Sequence, residues 1–271
     1  MTDPSNDEGI TGTPTGFSAL DRMTAGLQAG DLTILGARPS MGKTSFALNV
    51  ACNVAARGDE RVAVFSLEMP SNQAVSRMLA SEAGVNHKAV RSGHLTDEDI
   101  ERLSAAADRV STWRLFIDDT PGLAVTDALA KCRQLASAEP LALVVIDYLQ
   151  LLRGRAEMET REHEVAEICR DLKQLAQQLE APVLVLSQLS RTLESRENKR
   201  PVTGDLRESP AIAEYADTIL FLYRDEVYDE DSQVTGIAEI IVAKQPNGQL
   251  GTCQLGFHEP WARFVDLPPH C

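Results

Sequence analysis

The sequence predicts an α/β protein with a mainly parallel, doubly wound sheet and an antiparallel extension at one edge. Three observations carry this. Apolar runs of strand length alternate with helix-length amphipathic segments from Leu32 to Leu186. After Thr218 strand-like runs follow one another through turns, with almost no helix between them. The first strand, Leu32-Thr33-Ile34-Leu35, runs into Gly36-Ala37-Arg38-Pro39-Ser40-Met41-Gly42-Lys43-Thr44 and then into helix-like Ser45-Phe46-Ala47-Leu48-Asn49-Val50. A Gly-Lys-Thr that closes a strand and opens a helix is the context of a phosphate-binding loop.

Residues 1–8 are polar and acidic and are expected to form a disordered tail before a single domain over 9–271. Gly9 to Gly30 is turn-rich and holds one short helix with Ser18 as its N-cap. The helix after the phosphate loop is ended by Gly58, and Val62 to Ser66 is the second strand, running into Leu67-Glu68-Met69-Pro70. Ser71 to Gly84 reads as a helix, and Thr96-Asp97-Glu98-Asp99 caps another that extends to about Val110. Leu115 to Ile117 is a strand ended by Asp118-Asp119, and Thr126 to Ala138 is helical. Leu141 to Ile146 is continuously apolar, as a central parallel strand covered on both faces should be. A long helix over Glu162 to Leu179 and a strand over Pro182 to Leu186 follow. Strands Thr218 to Leu222, Ile237 to Ala243, Gln249 to Phe257 and Ala262 to Val265 complete the chain.

The length of 271 residues suits one large α/β domain, and no apolar run is long enough to span a bilayer. Cys52, Cys132, Cys169, Cys253 and Cys271 are scattered and form no Cys-x-x-Cys pair, which suits reduced thiols in a cytoplasm better than disulfides or zinc. The net charge of −14 argues against a broad basic nucleic-acid surface and leaves room only for localised basic loops.

In a phosphate loop successive backbone N–H groups surround the phosphate oxygens and the following helix adds its positive end. Ala37, Arg38, Pro39, Ser40, Met41, Gly42, Lys43, Thr44 and Ser45 would form that cradle. Lys43 would reach the β- and γ-phosphates, and the Thr44 hydroxyl would ligate Mg²⁺. Ala37 stands where the pattern has its first glycine, with Gly36 one residue early. Ligands of open α/β sheets sit beyond the carboxyl ends of the strands. There the strands end in Glu68, Asp118 with Asp119, Asp147 and Gln188. If their strands are neighbours, Glu68, Asp147 and Gln188 converge on the nucleotide. Asp147 would hold the Mg²⁺ shell opposite Thr44, Glu68 would take a proton from the attacking water, and Gln188 would sense the γ-phosphate. The plainer readings are a solvated strand end for Asp147 and Gln188 and a macrodipole partner for Glu68.

Two loops are candidates for nucleic acid. One carries Arg153, Arg155 and Arg161; the other carries Arg191, Arg196, Lys199, Arg200 and Arg207 against Glu194, Glu197, Asp205 and Glu208. Phosphate contacts need such cations and free backbone N–H groups, although solvated loops have the same composition.

The wording of the blocks is specific. Thr-Ala-Gly-Leu-Gln-Ala-Gly-Asp-Leu, Ala-Arg-Pro-Ser-Met-Gly-Lys-Thr, Phe-Ser-Leu-Glu-Met, Ile-Asp-Tyr-Leu-Gln-Leu, Leu-Ser-Gln-Leu-Ser-Arg, Lys-Arg-Pro, Asp-Leu-Arg-Glu-Ser, Tyr-Arg-Asp-Glu and Gly-Ile-Ala-Glu-Ile-Ile occur in this order. Together they resemble the C-terminal motor domain of DnaB-type replicative DNA helicases from about Gly9 to Phe264. The resemblance implies a RecA-like P-loop NTPase fold, ATP and Mg²⁺ as ligands, and hydrolysis between the subunits of a homo-hexameric ring. It implies single-stranded DNA in the ring's centre, contacted by the loops around Arg153 to Arg161 and Leu189 to Pro210, including Arg207 and Glu208, and other replication proteins as partners. A recombinase or circadian-type ATPase fits the fold but not this wording.

Three departures qualify what carries over. Family members have an N-terminal helical domain and a linker helix that docks on the neighbouring subunit, whereas this chain begins at the motor; a ring would then have to form from the motor alone, as short members resembling only the motor could do. The family's Lys-Gln-Arg-Asn-Gly element, which supplies an arginine to the neighbour's nucleotide, reads Lys244-Gln245-Pro246-Asn247-Gly248. Proline cannot stabilise a transferring phosphoryl group, and Lys244 is the cation that remains near the nucleotide. The Arg-Glu-Ser-Gly DNA loop reads Arg207-Glu208-Ser209-Pro210, and proline offers no N–H to a phosphate. An ATP-driven helicase is expected; the alternative is an ATP-binding paralogue that modulates a replication partner with little unwinding.

Overall fold

The computed structural model of the chain describes residues 9–268 except 156–159, 207–209 and 230. The expected tail at 1–8, the proposed contacts Arg207 and Glu208, and Cys271 therefore lie outside the described residues.

Nine strands form one sheet: β1 (Leu32–Ala37), β2 (Arg61–Ser66), β3 (Arg114–Asp118), β4 (Leu143–Asp147), β5 (Val183–Gln188), β6 (Thr218–Tyr223), β7 (Ile237–Lys244), β8 (Gly251–His258) and β9 (Arg263–Asp266). Their spatial order is β3-β2-β4-β5-β1-β6-β7-β8-β9. Pairings among the first six are parallel, and β7, β8 and β9 add antiparallel in sequence. The doubly wound sheet with an antiparallel edge is as the alternation predicts.

Period-two alternation sorts the strand residues to two cores. Leu143, Val145, Leu184, Leu186, Leu35 and Leu220 pack with helix α2 (Lys43–Ala55) on one face. Val144, Ile146, Val183, Val185, Ile34 and Ile219 pack on the other, under α6 (Val125–Ala138) and α7 (Arg161–Leu179). Both faces of β4 and β5 are covered, which is why these strands read as unbroken apolar runs.

The remaining helices are α1 (Ser18–Thr24), α3 (Ser71–Ala83), α4 (His87–Ser92), α5 (Asp97–Val110) and α8 (Pro210–Tyr215). Thr96 and Asp99 form the capping box of α5 expected from their spacing. Ser18 does not cap α1. Phe17 occupies the N-cap with no side-chain bond, and the order comes from Asp21, whose carboxylate accepts from Thr15 N (2.8 Å), Thr15 Oγ1 (2.7 Å) and Gly16 N (3.1 Å). Phe17 is buried and stacks on Phe46 of α2 with ring centroids 5.2 Å apart. Burying an aromatic ring there outweighs a serine cap worth about 1 kcal/mol. Helices α4 and α8 were not expected from the sequence; they are short helices of six residues each, under two turns and too brief to show a periodic face.

Candidate nucleotide site

Strand order and strand parity assemble the site. β2, β4, β5 and β1 are consecutive neighbours, so the polar residues at their carboxyl ends share one crevice. Asp147 has the parity of Leu143 and Val145, and Gln188 that of Leu184 and Leu186; both therefore face α2 rather than α7. Register completes the placement: Gln188 pairs with Ala37 at the mouth of the phosphate loop, and Asp147 pairs with Ser66. Leu67 N donates to Asp147 O at 2.8 Å, which brings Glu68 beside Asp147.

The loop between β1 and α2 turns through two left-handed residues, Ser40 (φ 68°) and Gly42 (φ 95°). Gly42 is the N-cap of α2 and no side chain caps it, so the first-turn N–H groups face the cleft. A Cβ on Gly42 would lie 3.1 Å from the Phe264 ring, so the loop is closely packed from behind as well as turned left-handed. The early Gly36 has another reason: a Cβ there would meet the Phe221 ring at 2.8 Å and Leu189 at 2.9 Å. It serves strand packing, and Ala37, buried as the last residue of β1, is tolerated at the pattern's first glycine.

Lys43, Thr44, Glu68 and Gln188 line a cleft of about 440 Å³ together with Ala37, Arg38, Pro39, Ser40 and Ser45. Met41 does not line it; its side chain is buried and its sulfur accepts from Arg224 N at 3.3 Å, fastening the loop to the end of β6. Thr44 Oγ1 donates to Asp147 Oδ2 at 2.7 Å. Asp147 Oδ1 is buried and has no hydrogen-bond partner among the described residues. A buried, unsatisfied carboxylate oxygen next to a threonine hydroxyl is costly unless a cation completes it. This hard oxygen pair fits Mg²⁺.

Charges at the cleft are held against desolvation. Burial pulls the Lys43 ammonium below the ordinary lysine range, opposed by the Asp147 and Glu68 carboxylates. Burial raises the Asp147 carboxyl, opposed by Lys43, by the bond from Thr44 and by Arg77. The Lys43 Nζ also sits 4.6 Å from the centroid of the Tyr148 ring.

A match to the family described as the DnaB-like helicase C terminal domain extends over residues 12–266. The chain belongs to that family. Its sequence is 52% identical over 264 residues to the replicative DNA helicase DnaB of Geobacillus stearothermophilus, covering 97% of this chain and 58% of that protein. It is 51% identical over 259 residues to the replicative DNA helicase DnaC of Bacillus subtilis, covering 95% and 57%. The chain thus spans a little over half the length of these relatives. The fold superposes on a solved structure described as an ATPase domain with a TM-score of 0.93 and 40% identity, covering 97% of this chain and 94% of that one. A DnaB-like replicative helicase, solved in work on its interactions with primase, matches with the same TM-score and identity over 64% of its length.

In this DnaB-like domain the other expected residues are placed less simply. Lys244 ends β7 away from the cleft, where its ammonium donates to the carbonyl oxygens of Ala213 (2.8 Å) and Ala216 (2.5 Å). It caps α8, which Pro210 opens at the helix position that tolerates proline best. Lys244 therefore does not join its own chain's nucleotide cleft.

The basic loops are mostly self-paired. Arg155 donates to buried Asp171 at 2.8 Å, and Arg161 donates to Glu164 (2.5 Å) and to the Gln150 carbonyl oxygen (2.9 Å). Arg196 pairs with Asp205 at 2.7 Å, Arg200 with Glu239 at 2.6 Å, and Lys199 with the Glu194 and Arg196 carbonyl oxygens. Arg153 and Arg191 are exposed.

The cleft also holds residues that motif reading did not single out as a site. Arg224 is buried, donates to Ser40 O at 3.2 Å and stacks 4.3 Å from the Phe257 ring. It has the parity of Leu220 and Leu222, so extending the alternation one step past β6 would have found it. Arg77, Phe257, Glu259 and Ala262 reach the cleft from α3 and the β8–β9 region, which sequence spacing cannot bring near Lys43. Gln150 ties two strand ends: its Nε2 donates to Ser187 Oγ at 3.0 Å, and its Oε1 accepts from Gln188 N at 3.3 Å.

Proposed function

We propose that the chain is an ATP-hydrolysing motor that moves on single-stranded DNA and unwinds duplex during replication. The Thr44–Asp147 pair beside half-buried Lys43, at a cleft walled by Glu68 and Gln188, is the observation that carries this reading. The backbone N–H groups of Ser40 to Ser45 bind the triphosphate, and Lys43 neutralises its β and γ oxygens. Thr44 and Asp147 would hold Mg²⁺, which when bound offsets phosphate charge. Glu68, exposed to the cleft, takes the proton of the attacking water, and Gln188 responds to the γ-phosphate from the end of β5. The relatives' names supply the replication context: they are replicative helicases, and one was studied with primase. We carry to this chain a homo-hexameric ring, single-stranded DNA against the loops bearing Arg153 and Arg191, the companionship of other replication proteins, and a cytoplasmic location. No helix among the described residues is long and apolar enough to cross a membrane.

A second reading has its own observation. Pro246 occupies the arginine position of the trans-acting element, and Lys244 is engaged by α8 carbonyls. This favours a paralogue that binds ATP and modulates a partner with little unwinding. The test is ATP turnover by the purified chain with and without single-stranded DNA, Lys43→Ala as control, and particle mass in the same buffer. DNA-stimulated turnover in multi-subunit particles supports the motor; nucleotide binding with negligible, DNA-indifferent turnover in a monomer supports the paralogue.

A further inference from the structure

We infer that Arg38 and Glu194 form a positioning link through which the nucleotide state of the phosphate loop sets the strand affinity of the loop bearing Arg191 and Lys199. The inference rests on the ATP- and strand-binding reading above.

Arg38 belongs to the phosphate loop by sequence, yet its guanidinium is committed elsewhere. Nε and Nη2 both donate to Glu194 Oε1, at 2.9 and 2.6 Å, and Nη1 donates to the Leu189 carbonyl oxygen at 2.9 Å. The arginine side chain is 9% exposed and that of Glu194 47%. A cation recruited only to attract phosphate would aim its donors into the cleft. Here a planar fork is locked onto two points of a distant segment, which fixes direction as well as distance.

That segment is folded on itself, so displacement at one end reaches the other. Glu194 lies in a 3-10 turn over Arg191–Ser195, and its carbonyl oxygen accepts from Lys199 Nζ at 2.8 Å. Arg196 is held by Asp205, and Ser190 N donates to Asp205 O at 2.8 Å. Leu189, the second anchor of Arg38, directly follows Gln188, whose register partner is Ala37. One arginine thus braces the mouth of the phosphate loop, the end of the sensor strand and the turn that carries Arg191. Phosphates drawing the Ser40–Thr44 backbone inward would move the fork, and the fork would move Glu194.

Glu194→Gln in the full chain tests this. It keeps the shape of the half-exposed side chain and removes the charge that holds the fork. Wild-type protein is expected to bind fluorescein-labelled oligo-dT more tightly with a non-hydrolysable ATP analogue than with ADP, by a ratio of roughly 5- to 150-fold, the usual span of site–site coupling. In Glu194→Gln, and in Arg38→Lys as a second break of the same fork, that ratio is expected to fall toward one. Turnover without DNA should stay near wild type in Glu194→Gln. Hydrogen exchange of amides 190–199 should slow on adding the ATP analogue to the wild type and not to Glu194→Gln, a difference that simple loss of folding would not produce. A wild-type ratio retained in Glu194→Gln, with the same exchange response, overturns the link alone. Wild-type protein lacking ATP turnover or nucleotide-dependent oligo-dT binding overturns the functional reading and the link with it.

Discussion

The nucleotide cleft and the basic loops hold charge in opposite ways. In the cleft, charge is buried and incomplete: Asp147 Oδ1 has no partner among the described residues, α2 has no side-chain cap, and Lys43 is partly desolvated between two carboxylates. In the loops, charge is exposed or half-exposed and largely complete, with Arg155, Arg161, Arg196 and Arg200 each on a carboxylate of this same chain. A preorganised deficit binds a ligand without rearrangement, whereas self-paired cations must exchange or share partners first. The contrast teaches that, under the proposed function, the cleft can take nucleotide as it stands, whereas most of the loop cations would have to leave internal ion pairs before meeting a strand.

The largest effect should come from removing the Lys43 ammonium from the cleft. Lys43→Ala is expected to lower ATP turnover by about 10²–10³-fold or more while leaving the far-UV spectrum unchanged; a steady-state phosphate-release assay checks it. An arginine placed at position 246 tests whether the cleft alone suffices. Pro246→Arg should raise turnover by up to roughly 10³-fold, but only at concentrations where light scattering shows associated subunits. No gain in associated particles would remove Pro246 as the ground for the paralogue reading.

Asp147 sharpens the idea of a deficit. Its carboxyl is raised above the ordinary 3.8, so the folded chain keeps a proton that the unfolded chain releases. The stability of nucleotide-free protein should therefore fall as pH rises from about 3.8 through the raised value. Asp147→Asn should remove that slope and raise the melting temperature near neutral pH by about 2–4 °C, the shift that ~1 kcal/mol gives in a domain of this size. The same change should abolish Mg²⁺-dependent turnover. Gly42→Ala should cost about 1–2 kcal/mol in a denaturant titration, since an L-residue is forced into the left-handed region against Phe264.

The smallest effect belongs to the loops. Arg191→Ala should weaken oligo-dT binding about equally for all base sequences and reduce the slope of log affinity against log salt by about one. A larger loss from Arg191→Ala than from Arg200→Ala would uphold the distinction between an available cation and one held by Glu239.

Much of the fold was legible because its signals are local. Each of the nine strands lies within a few residues of its apolar run, and Thr96 with Asp99 announced α5, because alternation, capping and Gly-Lys-Thr act over a handful of positions. Lys43 and Thr44 were legible from the Gly-Lys-Thr that opens α2, and Glu68, Asp147 and Gln188 from their places at or just past strand ends, for the same reason. Ser18 misled because cap preference is worth less than the burial of Phe17, and α4 and α8 were too short to show a period.

Long-range pairing was what the chain's order left open. That β4 and β5 lie between β2 and β1 is decided by parallel crossovers, and only this order makes Glu68, Asp147 and Gln188 neighbours. Arg224 and Phe257 reach the cleft because the antiparallel edge folds back beside the phosphate loop. Arg38 looked like a phosphate ligand and became a tie to Glu194, and Arg155 and Arg200 of the basic loops found carboxylates on elements far along the chain, Asp171 and Glu239. Residue type and spacing specify what a segment can bind; which partner satisfies a charge depends on what packing brings within about 3 Å, the reach of a hydrogen bond.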